Sequence, residues 1–125
     1  MARWKIKNVG MKGVAMAVPE NVVKTSDFDF FSQEEAEVFD NTVGIRRRHI
    51  APDNMCASDM CQAAAEKLLE ELGWERDSID VLLFESVTGD YRTPPTSCIL
   101  QDRLALSENC FCMDIPMGCC GCMYA

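Results

Sequence analysis

At 125 residues the chain is long enough to bury a core, and its 48% hydrophobic and 26% charged content is ordinary for one globular domain. A net charge of −8 argues against a nucleic-acid footprint. No apolar run approaches the ~18 residues of a membrane span, and the opening MARWKIKNVG lacks the apolar stretch of a signal peptide, so a cytoplasmic location is expected.

In chain order, residues 4–18, WKIKNVGMKGVAMAV, read as a β-strand or hairpin interrupted by Gly10 and Gly13 and ended by Pro19. Residues 21–25 read as a connector. Ser32-Gln33-Glu34-Glu35 has capping-box spacing and predicts a helix over 33–41, followed by the loop VGIRRRHIAPD. Ser58 reads as the N-cap of a helix to Leu72. Its apolar positions Cys61, Ala64, Ala65, Leu68, Leu69 and Leu72 recur at helical spacing, and Gly73 supplies the stop. VLLFESV, residues 81–87, predicts a strand covered on both faces. Pro94-Pro95 opens a helix through Leu106, and NCFCMDI, residues 109–115, is the last strand. This alternation predicts an α/β fold with a largely parallel sheet and flanking helices.

The final stretch, CFCMDIPMGCCGCMYA, reads as a buried strand, a tight Gly-containing elbow and an apolar helix opening on Cys119. Free N–H groups and the helix dipole would favour a thiolate there, which makes Cys119 a candidate nucleophile. The chain ends about two turns later, and so is expected to stop inside the nucleophile helix.

Eight cysteines without a secretory signal point to free thiols in a reducing compartment, and five of them crowd into residues 110–122. Cys119 and Cys122 stand in C-x-x-C spacing, which admits a redox dithiol or half of a zinc site completed by Cys110 and Cys112. The third reading, which we favour for Cys110, Cys112, Cys120 and Cys122, is that they are small core hydrophobes.

Five segments in register resemble the β-ketoacyl-[acyl-carrier-protein] synthase III family of the thiolase superfamily. VPENVV resembles the family's L-P-E-x-x-V, VGIRRRHIA its T-G-I-R-x-R-H-I-A, and SDMCQAAAEKLLEELGW the helix that begins S-D-L and ends in Gly-Trp. TGDYRTPPTSCILQDRLAL resembles T-x-D-Y-x-x-P-x-T-x-x-x-L-Q-x-x-L-G-L, and DIPMGCCGCMYA resembles the nucleophile segment D-x-x-x-x-C-x-G-F-x-Y-A.

The resemblance implies a thiolase-like fold, of which residues 1–125 would be the N-terminal part without the C-terminal catalytic half. It implies a homodimer with no cofactor and no metal. Its substrates would be an acyl thioester, on CoA or acyl carrier protein, and a malonyl-carrier protein. The acyl group moves to the cysteine, and the malonyl thioester then decarboxylates and attacks it. By this resemblance Cys119 is the nucleophile, its own N–H helps hold the oxyanion, and Gly118 and Gly121 suit the crowded elbow.

Departures from the pattern bear on the substrate. The family's catalytic His and Asn come from its second half, and His49 matches a different, structural histidine. Val38 and Thr42 stand where many acetyl-CoA-using members carry a Trp and an Arg that grip CoA. Thr93 replaces a Phe that reaches the partner subunit's acyl pocket, and Cys122 replaces an aromatic on the pocket wall. Tyr91 and Arg92 are expected to line the approach. Arg46, Arg47 and Arg48 are expected to be a solvated triplet with Arg46 paired internally, and Glu85 and Asp114 to hold loop N–H groups. Alternative readings are a hydroxymethylglutaryl-CoA synthase-like or head-to-head condensing enzyme, or a non-catalytic module that binds metal or a partner through its thiols.

Overall fold

The computed structural model describes Lys5 and residues 7–125. Strand β1 (Val22–Lys24) pairs antiparallel with β2 (Arg47–His49), with Val22 opposite His49 and Lys24 opposite Arg47. Between them lies α1 (Gln33–Val43). Ser32 and Glu35 form the expected reciprocal box, the Glu35 N–H donating to Ser32 Oγ (3.2 Å) and the Ser32 N–H to Glu35 Oε2 (2.9 Å). Hydrogen bonds from the Ser32 backbone and then its side chain hold the Glu35 carboxyl below its ordinary value.

Helix α2 (Ala57–Leu72) leads into β3 (Val81–Glu85), α3 (Thr96–Arg103), β4 (Phe111–Ile115) and the single turn α4 (Gly121–Tyr124). Strands β3 and β4 are parallel, with Val81 opposite Phe111 and Glu85 opposite Ile115, as the strand–helix alternation predicts. Gly44 and Gly73 close α1 and α2 at φ 79° and 62°, where a side chain would be strained. The core lies beneath α3. Phe84, Leu100, Leu104, Leu106 and Cys110 are buried together, with Ala65, Leu82 and Cys112 packed against them.

Several expectations are corrected. The strand over 4–18 does not form among the described residues from Lys7 onward, and Trp4 and Ile6 lie outside them. The segment has a period-2 burial, with Gly13, Ala15 and Ala17 partly covered while Val14, Met16 and Val18 are exposed, but no ladder partner engages it. Gly13 meets Leu68 and Leu72 of α2 so closely that an added Cβ would lie 2.8 Å from Leu68 Cδ1. Residues read as connector and loop instead supply β1 and β2, too short for a periodic signal.

The N-cap of α2 is Cys56, not Ser58, and Asp59 accepts its N–H at 2.7 Å. Helix α3 ends at Arg103 because Ala105 turns left-handed at φ 49°, letting the Leu106 N–H reach back to Gln101 O at 3.0 Å. Finally, β3 is covered on one face only, since Val81 is 53% exposed and its partner Phe111 57%.

Candidate active site

Ligand sites of α/β sheets gather where parallel strands end and their loops diverge. Here the ends of β3 and β4 project two loops, residues 86–95 and 116–120. The ladder runs one bond past Glu85, the Ser86 N–H donating to Ile115 O at 3.3 Å. The chain then turns sharply. The Met117 N–H donates to Ile115 O, and the Gly121 N–H closes a second turn onto Gly118 O, each at 2.8 Å.

Cys119 occupies that second turn and is exposed. It does not open the helix as expected: Cys120 is the N-cap and α4 starts at Gly121. Gly121 is buried against the Glu85 side chain, and a Cβ there would overlap Glu85 Oε1. Glycine is required at this point by close approach, whereas Gly118 faces open space. The Glu85 side chain thus supports the elbow by contact, and no hydrogen bond from it to a loop N–H is formed among the described residues.

Asp114, the residue before Ile115 on β4, accepts two backbone N–H groups at the start of α3, from Thr96 at 2.7 Å and Ser97 at 2.8 Å. Burial, the largest single influence, pushes its carboxyl up, but the hydrogen bonding from Ser97 and Thr96 together outweighs it and holds the carboxyl below its ordinary value. The α3 start is further tied to the 86–95 loop, because the Asp90 N–H donates to Thr96 Oγ1 at 3.1 Å. Asp90 in turn receives the hydroxyl of buried Ser58, and Arg103 Nη1 donates to Ser58 Oγ and to Asp59 Oδ1, each at 2.9 Å. Ser58 is thus a buried link from α2 to Asp90 rather than a cap, a pairing that no local pattern at Asp90 announces. The signal lay in the shared S-D and D-Y positions of their segments.

A cleft of about 610 Å³ opens at these strand ends, walled by Gly89, Asp90, Tyr91, Arg92, Asp114 and Pro116 among others. Tyr91 and Arg92 thus reach the strand ends, while Thr93, Gly118, Cys119 and Cys122 lie outside that wall. The other thiols divide. Cys110 is buried in the core and Cys112 packs on it, as the hydrophobe reading expects, but Cys120 and Cys122 are exposed. Burial first, then the neighbours Cys110, Cys98 and Asp114, push the Cys112 thiol up to about 11. Burial and the charge of Asp90 also raise Cys61. Both thiols are therefore kept protonated near neutrality. Among the described residues no three His, Cys, Asp or Glu side chains converge as a ligand set for a metal, and no helix is long and apolar enough to cross a membrane.

The basic loop packs inward through Arg48 rather than Arg46. The Arg48 guanidinium lies 5.7 Å from the Phe28 ring centre and 5.2 Å from that of Phe39, and donates to Thr25 Oγ1 at 3.3 Å. His49 Nδ1 donates to Pro19 O at 2.5 Å, a structural bond. On α1, Val38 and Thr42 line a groove of about 480 Å³ together with Phe31, Phe39 and Val43, rimmed by Glu34 and Glu35.

No family model matches the chain. Curated relatives do. It is 36% identical over 115 residues to β-ketoacyl-[acyl-carrier-protein] synthase III of Geobacillus kaustophilus, covering 92% of this chain and 37% of that protein. With the enzyme of the same name from Clostridium perfringens (strain ATCC 13124) it shares 34% over 120 residues, 96% of this chain and 36% of that protein. Among solved structures, a 3-oxoacyl-(acyl-carrier protein) synthase from Burkholderia xenovorans LB400 superposes with a TM-score of 0.79 at 38% identity, over 88% of this chain and 33% of that one. The synthase III from Aquifex aeolicus VF5 gives 0.80 at 26%, over 90% and 36%. Xanthomonas campestris OleA, at 24%, shares the fold. The chain therefore spans little more than a third of the length of these relatives. Over the residues that align, it is similar to the β-ketoacyl-[acyl-carrier-protein] synthase III enzymes and shares their thiolase-like fold.

Proposed function

We propose that the protein serves as a condensing enzyme of the β-ketoacyl-[acyl-carrier-protein] synthase III type, an acyltransferase of fatty-acid biosynthesis with Cys119 as its nucleophile. The observation that carries this reading is the D114-x-x-x-x-C119-x-G121 segment at the ends of two parallel strands, with Gly121 seated against Glu85. Cys119 takes the acyl group from a thioester and gives it to a decarboxylating malonyl-carrier thioester. Gly121 lets the backbone close on Glu85 just past the nucleophile, and the Cys119 N–H is the candidate oxyanion donor. Tyr91 and Arg92 line the approach at the cleft, and Thr93 and Cys122 act on acyl size.

The working form is a cytoplasmic homodimer that includes the His and Asn stabilisers of the family's second half. The donor is a carrier-bound acyl group in preference to free acetyl-CoA. In place of an aromatic and a cation, the α1 groove offers Val38, 65% exposed, and the neutral Thr42. A charge-assisted hydrogen bond forgone there is worth about 1.5–3 kcal/mol.

The test is acyl transfer from labelled acetyl-CoA and from labelled acyl carrier protein, followed by peptide mapping. We expect the label on Cys119, its loss in Cys119→Ala, and faster transfer from the carrier protein. Label on Cys120 or Cys122 would remove the nucleophile assignment, and tight, efficient use of acetyl-CoA would remove the donor assignment.

A further inference from the structure

Three exposed thiols lie within one turn of backbone, and condensing chemistry uses only one of them. The turn is right-handed throughout. Gly121 N–H bonds Gly118 O, Met123 N–H bonds Cys120 O at 3.0 Å, and Cys120 itself has φ −91° and ψ −7°. Cys119 and Cys120 are the central residues of the turn from Gly118 to Gly121, and Cys122 lies in the helical turn that continues it. Right-handed backbone brings side chains three residues apart, as Cys119 and Cys122 are, toward one side and turns Cys120 away.

Cβ atoms so related stand about 5–6 Å apart, and a disulfide needs them at about 3.5–4.5 Å. Closing that gap takes a small tightening of a turn whose thiols are exposed and whose Gly118 has no heavy atom near its Cβ position. A Cys119–Cys120 link would instead have to join side chains that diverge from adjacent residues of one tight turn.

We propose that Cys119 and Cys122 form a reversible disulfide that closes the nucleophile to acyl transfer under oxidising conditions and shields it from over-oxidation. The oxidant class is a peroxide. The Cys119 thiolate attacks the O–O bond, taking one oxygen as a sulfenic acid and releasing hydroxide, which is protonated to water. The Cys122 thiolate then displaces the second hydroxide from that sulfur as the S–S bond forms. Two thiols lose two electrons and two protons, and the peroxide becomes two waters. A reduced dithiol reverses the step by thiol–disulfide exchange. The gate rests on the reading of Cys119 as the acylated residue.

Purified, fully reduced protein is treated with hydrogen peroxide, and free thiols are blocked with iodoacetamide. The protein is then reduced with dithiothreitol and labelled with an isotopically distinct iodoacetamide before peptide mapping. The expected pattern is the second label on Cys119 and Cys122 and the first on Cys120. In Cys122→Ser, peroxide is expected to drive Cys119 to a sulfinic or sulfonic acid that dithiothreitol does not restore. Second label on Cys119 and Cys120, first label on all three, or irreversible oxidation of Cys119 in the unsubstituted protein would each overturn the pairing. Acyl transfer to Cys119 that persists in the linked form would overturn the gate. Absence of acyl transfer to Cys119 in the fully reduced protein would defeat the nucleophile reading, and the gate with it, whichever sulfurs pair.

Discussion

Asp114 does the work that a capping side chain does in most helices, but from another element. Pro95, the N-cap of α3, offers no side-chain acceptor, and the β4 carboxylate supplies two oxygens to the Thr96 and Ser97 N–H groups instead. The residue therefore fixes α3 to the strand that ends at the elbow. Its folded carboxyl titrates below the unfolded value of about 3.9. Its stabilisation is thus complete above that value and is lost as the pH falls through the folded pKa. Asp114→Asn keeps the shape and removes the charge. It is expected to cost about 0.5–2 kcal/mol in urea unfolding at neutral pH, with the gap to the parent narrowing below pH ~4. A gap that stays constant into acid would show that the carboxylate charge is not what caps the helix.

At the scale of elements, what could be read from sequence was what local chemistry decides. The Ser32–Glu35 box and the Gly73 stop are each set by a few neighbouring residues, and both formed where expected. β3, α3 and β4 were likewise legible from an apolar run and a proline pair, apart from the early end of α3 at Arg103, set by left-handed Ala105. The pairing of β1 with β2 was not, because three-residue strands carry no usable period and Val22 meets His49 only across an intervening helix. Residues 7–18 failed in the opposite sense. Over 13–18 an alternation is visible in burial, but a strand also needs a hydrogen-bonding partner, which no local pattern supplies.

Within the candidate site, the spacing of a known segment is what singles out Cys119, Gly118 and Gly121. The reason Gly121 must be glycine was not legible there, since it resides in Glu85 at the end of another strand. Gly121→Ala is accordingly expected to destabilise by about 1–3 kcal/mol through overpacking. Glu85→Ala should recover most of that loss when the two are combined, and a double-mutant cycle on denaturation midpoints reads the coupling. Strictly additive costs would mean that Glu85 gives way freely and the glycine answers to some other constraint.

For the molecule as a whole, the decisive asymmetry is between the two faces of the β3–β4 sheet. One face carries Leu82, Phe84 and Cys112 into the core beneath α3. The other carries Val81 and Phe111 as a cross-strand pair, with Met113, 43% exposed, beside them; Met123 and Tyr124 of α4 are also exposed. Contiguous apolar surface of this kind drives association in water, and the free edge of a parallel pair accepts further strands. Expressed alone, the 125-residue chain is expected to sediment as dimers or larger species, and Phe111→Lys with Met113→Lys should shift it toward monomer. If the proposed reading holds and the charge-stabilising His and Asn come from the family's second half, the same chain should decarboxylate a malonyl thioester only at background, since one lost charge-stabilising group already costs about 10²–10³ in rate. A monodisperse monomer would mean that the bare sheet face is tolerated in water and covers nothing. Measurable condensation would mean that the transition-state charges are met from within these residues, and the Tyr91 and Arg92 cleft beside Asp114 is where that activity would first have to be sought.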